Sequence, residues 1–191
     1  MTRVRLEIDE VNIFRPKKKW KLYFVVLTEH PTEQDKMIMT TMPQHEPFKL
    51  SKRHENSYQF DTDDEGSEGL FVLSRELPED RELNVHIYLR HTRNAERSVG
   101  EILKDVEKGI AGDAFGIVTD IVGTSTVPWL VIAKKAVSAL GKVISQIPDR
   151  DFGFLSAFER FGPEFEEQVE IDREKDFTGD ASLVYSWSVD E

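Results

Sequence analysis

The chain has 191 residues, 39% hydrophobic and 32% charged, a net charge of −11 and no cysteine. That balance suits one well-solvated globular body and excludes a disordered or membrane-embedded chain. It also excludes disulfides, a thiolate nucleophile and a Cys-ligated metal, while the negative far field opposes broad nucleic-acid binding.

The first hundred residues read as strands. Val4, Leu6 and Ile8 alternate with Arg3, Arg5, Glu7 and Asp9, the period-two pattern of a half-buried strand. After Arg15-Pro16-Lys17-Lys18-Lys19, the run Trp20 to Leu27 predicts a strand buried on both faces. Lys36 to Met42, Phe48 to Leu50, Tyr58 to Phe60 and Gly69 to Leu77 are further extended pieces. In Leu83 to Leu89, Leu83, Val85, Ile87 and Leu89 face one way and Asn84, His86 and Tyr88 the other.

At Ser98 the period changes. Ser98-Val99-Gly100-Glu101 has the form of a capping box, with Val99, Ile102, Leu103 and Val106 on one helical face. A second helix is expected from Asp113 to about Val122, and a third over about 127–147, opened by Pro128. A fourth is expected from Phe154 to Phe161, stopped by Gly162-Pro163. Strand alternation returns at Val169 and Ile171 and runs cleanly from Ala181 to Val189. The expected fold is therefore α+β: one domain, an antiparallel β-sandwich from 1–97 and 168–191, with a helical insertion at 98–162.

The opening strand, Trp20 to Leu27, Leu83 to Leu89 followed by Val99-Gly100-Glu101-Ile102, and the closing strand together resemble the C2 family. The resemblance implies an antiparallel sandwich of about 120 residues. The family's calcium-dependent lipid binding does not carry over. The loop after Leu89 reads Arg90-His91-Thr92-Arg93-Asn94-Ala95-Glu96-Arg97, three arginines where calcium needs spaced aspartates.

Two basic loops stand out in this acidic chain as partner-binding candidates. One holds Arg15, Lys17, Lys18, Lys19 and Lys21 beside Trp20; the other holds Arg90, Arg93 and Arg97. Each cation near an anionic membrane gains about 1 kcal/mol, and screening over about 8 Å lets such a patch act locally. The plainer reading is a solvated turn guarding a sheet edge. Asp61 to Gly66 lacks the EF-hand spacing and reads as an acidic turn, and the five histidines form no metal pair. Neither a cofactor nor a metal is expected.

The expectation is a non-enzymatic interaction module for a protein partner, a second copy or an anionic membrane surface, and not for nucleic acid. Two alternatives stay open. One is a membrane-active protein using the apolar stretch within 109–147; the other is a hydrolase with carboxylates at Asp151 and Glu159. The opening MTRVRLEIDE has no apolar signal core, so a cytoplasmic location is expected, with signal-independent export as the other route.

Overall fold

A computed structural model of the protein describes residues 2–14, 19–43, 46–51, 56–60, 69–92, 101, 104, 120–121, 129–134, 144 and 149–190. The described chain is built almost wholly from antiparallel strands, the class that the alternation predicts, arranged in two sheets. It divides into two compact units. One comprises Met1–Trp20, Lys49–Asn84 and Phe152–Glu191; the other comprises Lys21–Phe48 and Val85–Asp151.

The first sheet belongs to the first unit. Strand β1 (Arg3–Ile13) lies between β12 (Ala181–Asp190) on one side and β5 (Ser57–Gln59) and β6 (Leu70–Glu76) on the other, with β11 (Glu170–Asp176) outside β12. The pairing of β1 with β12 runs from Arg3↔Asp190 to Ile13↔Ala181, so the two ends of the chain share a sheet as expected. The register shifts between Ile8 and Glu10. Val4, Leu6 and Ile8 are buried before the shift, and Val11 and Ile13 after it. An extra residue in one strand of a pair does this, because it moves every later side chain to the opposite face. Opposite them, Ala181, Leu183, Tyr185 and Trp187 are buried.

The second sheet has the order β10-β7-β2-β3-β9-β8, with β4 also on β2. Its strands are β2 (Lys19–Glu29), β3 (Lys36–Met42), β4 (Phe48–Ser51), β7 (Glu82–His91), β8 (Asp120–Ile121), β9 (Leu130–Ala133) and β10 (Arg150–Arg160). The boundaries between the units fall inside β2, β4, β7 and β10. In the second unit, β2 pairs with β7 from Leu22↔His91 to Leu27↔His86 and with β3 from Phe24↔Met42 to Glu29↔Met37. Leu22 to Leu27 are all buried, as an unbroken apolar run on a central strand requires. Tyr23, Val25, Leu27, Met39, Leu130 and Ile132 belong to one core cluster there.

The helical insertion is corrected over the residues described. The stretch Phe154 to Phe161, expected as a helix, is the second half of β10 and the residue just past its end. The third expected helix contains strand β9, and the second contains β8. Glu101, Lys104 and Ile144 are helical where helices were expected. Most of 98–148 lies outside the described residues, including Ser98, Val99 and Gly100 of the capping box. So does the acidic run Asp61 to Gly66.

Strand β10 hid its period for two reasons. Leu155, Ala157, Glu159 and Phe161 are buried in strict alternation, but one of the four is a carboxylate. Gly153 adopts φ +102, and this left-handed residue changes the phase, so that Phe152 and Leu155 are both buried. Glycine is also demanded by space: a Cβ at Gly153 would lie 2.5 Å from the Gly179 nitrogen. After β10, the short helix α1 (Glu164–Glu167) inserts Phe165 5.0 Å from Phe161, whose ring meets Trp187 edge-on at 5.4 Å.

The membrane-active alternative gains nothing from these strands. Leu130 and Ile132 are buried in a sheet, and among the described residues no helix is long and apolar enough to cross a membrane.

Candidate functional site

The first basic segment springs from a fixed base. Strand β1 ends with Ile13 buried and Phe14 exposed; β2 begins with Lys19 exposed and Trp20 buried. The Trp20 indole meets the Phe152 ring edge-on at 4.9 Å. Trp20, expected among the contact residues, is thus a buried ring, 2% exposed, at the start of β2. Lys21 is half-buried, and its carbonyl accepts the Thr92 N–H at 3.0 Å and lies 2.9 Å from His91 Nδ1. Arg15, Lys17 and Lys18 lie outside the described residues, as do Arg93 and Arg97.

Arg90, expected among the partner-binding residues, sits within β7 with its side chain fully enclosed. Its Nη2 donates to the Asp149 carbonyl at 2.8 Å, and Nη1 lies 3.4 Å from the Asp151 carboxylate. The Tyr23 hydroxyl donates to Asp149 Oδ2 at 2.8 Å. A buried guanidinium with a carbonyl and a carboxylate in reach is a cross-link of β7 to the start of β10. Burial, then the Asp151 charge, pushes the nearby Tyr88 phenol up.

The hydrolase alternative gains nothing from Glu159, which is spoken for. Arg173 Nε donates to its Oε2 at 2.9 Å and Nη2 to its Oε1 at 3.3 Å, with Glu164 at 3.1 Å from the same guanidinium. The hydrogen bond to Glu159, ahead of the opposing burial, pushes Arg173 further up.

The outward face of the first sheet is the most unusual electrostatic environment described. Across three strands, Glu7 pairs with Ser186 and Ser186 with Asp172, while Asp9 occupies the register shift of β1. Ser186 Oγ donates to Asp9 Oδ1 at 3.4 Å. The carboxyl group lies so close to Gly69 that a Cβ there would come within 2.7 Å of Oδ1. Burial raises Asp9 to about 7, with Asp172, Glu170 and Glu7 adding repulsion and the Ser186 hydrogen bond opposing them. Glu7 is itself buried, and it is ion-paired to Arg5, whose guanidinium stands 5.5 Å over the Phe71 ring. Among the described residues, no group of three or more His, Cys, Asp or Glu could hold a metal ion.

At the end of β1 the same face opens into a groove of about 350 Å³ lined by Asn12, Ile13, Phe14, Asn56, Glu174 and Ser182. Sequence reasoning missed it. Its residues come from four separate stretches of chain, and only Phe14, a large apolar residue just past the last inward position of β1, gave a local signal.

No protein-family model matches the chain, and no curated protein does either. Among solved structures, it is similar to CC2D1B, a protein that coordinates ESRCT-III activity during the mitotic reformation of the nuclear envelope. That match has 9% identity and a TM-score of 0.45 over 98% of this chain, and it spans about half (54%) of the other. A C2 domain is similar at 7% identity and a TM-score of 0.36, with 100% of both chains covered.

Proposed function

We propose that the chain is a non-enzymatic interaction module that binds an anionic partner surface through the segment Arg15 to Lys21. The observation that carries the reading is the way this segment is rooted. Five cations in seven residues leave one strand and enter the next beside a buried Trp20 and a tethered Lys21, while Lys19 stays exposed. A rooted loop loses less conformational freedom on binding than a free tail. Arg15, Lys17, Lys18 and Lys19 are the contacting cations in this reading, and Trp20, Lys21 and Arg90 position them. The Thr92 N–H is bonded to the Lys21 carbonyl, so the chain leading to Arg93 starts beside Lys21.

The test is co-sedimentation with phosphatidylcholine vesicles, with and without phosphatidylserine, beside titration with polyglutamate as the acidic-protein arm. Analytical ultracentrifugation adds a second copy of this acidic chain as a third arm. The wild type binds at least one anionic partner, and added salt weakens the binding. The triple variant Lys17→Glu, Lys18→Glu, Lys19→Glu loses on the order of 100-fold or more, from about 1 kcal/mol per cation. An unchanged triple variant, or a wild type that binds none of the three, overturns the reading.

A further inference from the structure

The groove at the end of β1 has a composition that the basic segment does not explain. Its floor is Ser182, a small side chain on β12 that faces Asn12 on β1 and lies next to Asp176 on β11 in register. Its walls are longer: Asn12 on one side, Glu174 on the other, Asn56 at the end. The depression follows from that sequence pattern, because the outward positions of β12 are Ser182, Val184, Ser186 and Ser188, all smaller than their neighbours across the sheet.

The walls are fixed before any ligand arrives. The Ile13 N–H donates to the Asn56 carbonyl at 2.8 Å, and the Phe14 N–H to the Asp180 carbonyl at 2.9 Å. Asn56 holds φ 75, a left-handed conformation that asparagine tolerates better than most residues. Over this preformed trough stands Phe14, 58% exposed, the second most exposed of the large apolar side chains described. The volume lies at the low end for small-molecule sites.

The polar groups define the ligand. Two carboxamides each donate and accept, a hydroxyl does both, and one carboxylate accepts only. An anion would meet the Glu174 charge. A bare ammonium would use the acceptors and leave the amide N–H groups unpaired, which is costly once they are covered. A ligand dense in hydroxyls satisfies both kinds of group at once, and a ring with an apolar C–H face can lie on the exposed phenyl. We propose that this groove binds a neutral, hydroxyl-rich ligand, of which a saccharide is the chemical class that fits.

The experiment uses the full chain and four neutral trisaccharides: maltotriose, cellotriose, mannotriose and N,N′,N″-triacetylchitotriose. Each is titrated to millimolar excess while the side-chain amide resonances of Asn12 and Asn56 are followed by NMR. At least one sugar shifts both amides in a saturable way. Phe14→Ala, a change at an exposed side chain, weakens that binding by about tenfold, the loss of one aromatic contact. Glu174→Gln keeps the hydrogen-bonding shape and weakens it less. The proposal is overturned if no sugar moves either amide, or if the shifts persist unchanged in Phe14→Ala. It is equally overturned if lysine methyl ester saturates the same amides more tightly than every sugar. The triple charge-reversal variant of the basic segment retains sugar binding, so failure here and failure of the anionic-partner reading are separate results.

Discussion

The start of β10 and the outward face of the first sheet both draw ionisable groups out of water, by opposite means. At the first, Arg90 is enclosed, with a carbonyl and an acid in reach of its guanidinium. At the second, Asp9 is half-buried among Glu7, Glu170 and Asp172, and its hydrogen-bond donor is a neutral serine. The guanidinium meets a backbone carbonyl and a carboxylate. Burial first, and its like-charged neighbours after it, push the carboxyl group up to about 7, so that it holds its proton toward neutral pH. The two places differ in the sign of the groups that meet the buried one.

The comparison breaks first at Arg90. Arg90→Met preserves much of the apolar stem but removes the cross-link. It is expected to cost about 3 kcal/mol in urea unfolding, the low end for a broken buried pair, because the stranded Asp151 can turn to water. A cost under about 1 kcal/mol would show that Arg90 is an ordinary space-filling side chain.

Asp9→Asn tests the other region, and it should stabilise. Asp9 binds its proton more tightly folded, at about 7, than unfolded, at about 3.9. Its favourable contribution is therefore complete below the unfolded value and is lost as pH rises from about 4 through 7. Above pH 7, Asp9→Asn gains about 1 kcal/mol, much less than the full shift implies, because a half-exposed carboxylate is screened. Thermal melts from pH 4 to 9 check this, and the variant should lack the decline that Asp9 gives the wild type. An equal decline in both proteins would place the cause elsewhere.

The finest test separates the neighbours by NMR titration of Asp9. Asp172→Asn removes repulsion and lowers the midpoint, and Glu170→Gln lowers it less; Ser186→Ala removes the donor and raises it. Each shift should be about one unit or less. A Ser186→Ala midpoint that falls would contradict the assigned hydrogen bond.

Much of the fold was legible because alternation survives wherever buried positions are apolar. Leu83, Val85, Ile87 and Leu89 announced β7, and Leu183, Tyr185 and Trp187 announced β12. Strand β10 was read as a helix because Glu159 occupies an inward position and is neutralised by Arg173, fourteen residues further on. The spacing of Phe154 and Phe158 also fits either period, since four residues return to one face in a helix and in a strand. Strand β9 offered only a short apolar run, Leu130 to Ala133, which periodicity cannot assign. The phase change in β1 could have been read, since Val4, Leu6 and Ile8 have even numbers and Val11 and Ile13 odd ones. The groove and the Asp9 cluster could not. Their members meet through the pairing of β1 with β12 and β5 and of β12 with β11.

Gly153 and Gly179 touch main chain to main chain, and a Cβ at Gly179 would come 2.2 Å from the Phe152 carbonyl oxygen. The Thr178 N–H also donates to the Phe154 carbonyl at 3.0 Å. The turn joining β11 to β12 is thus clasped to a neighbouring strand, although it reads in sequence like a free polar tip. An engineer seeking a place for a tag or a fused domain should pass over Thr178 to Asp180. Cargo inserted there would prise apart a joint that has no slack.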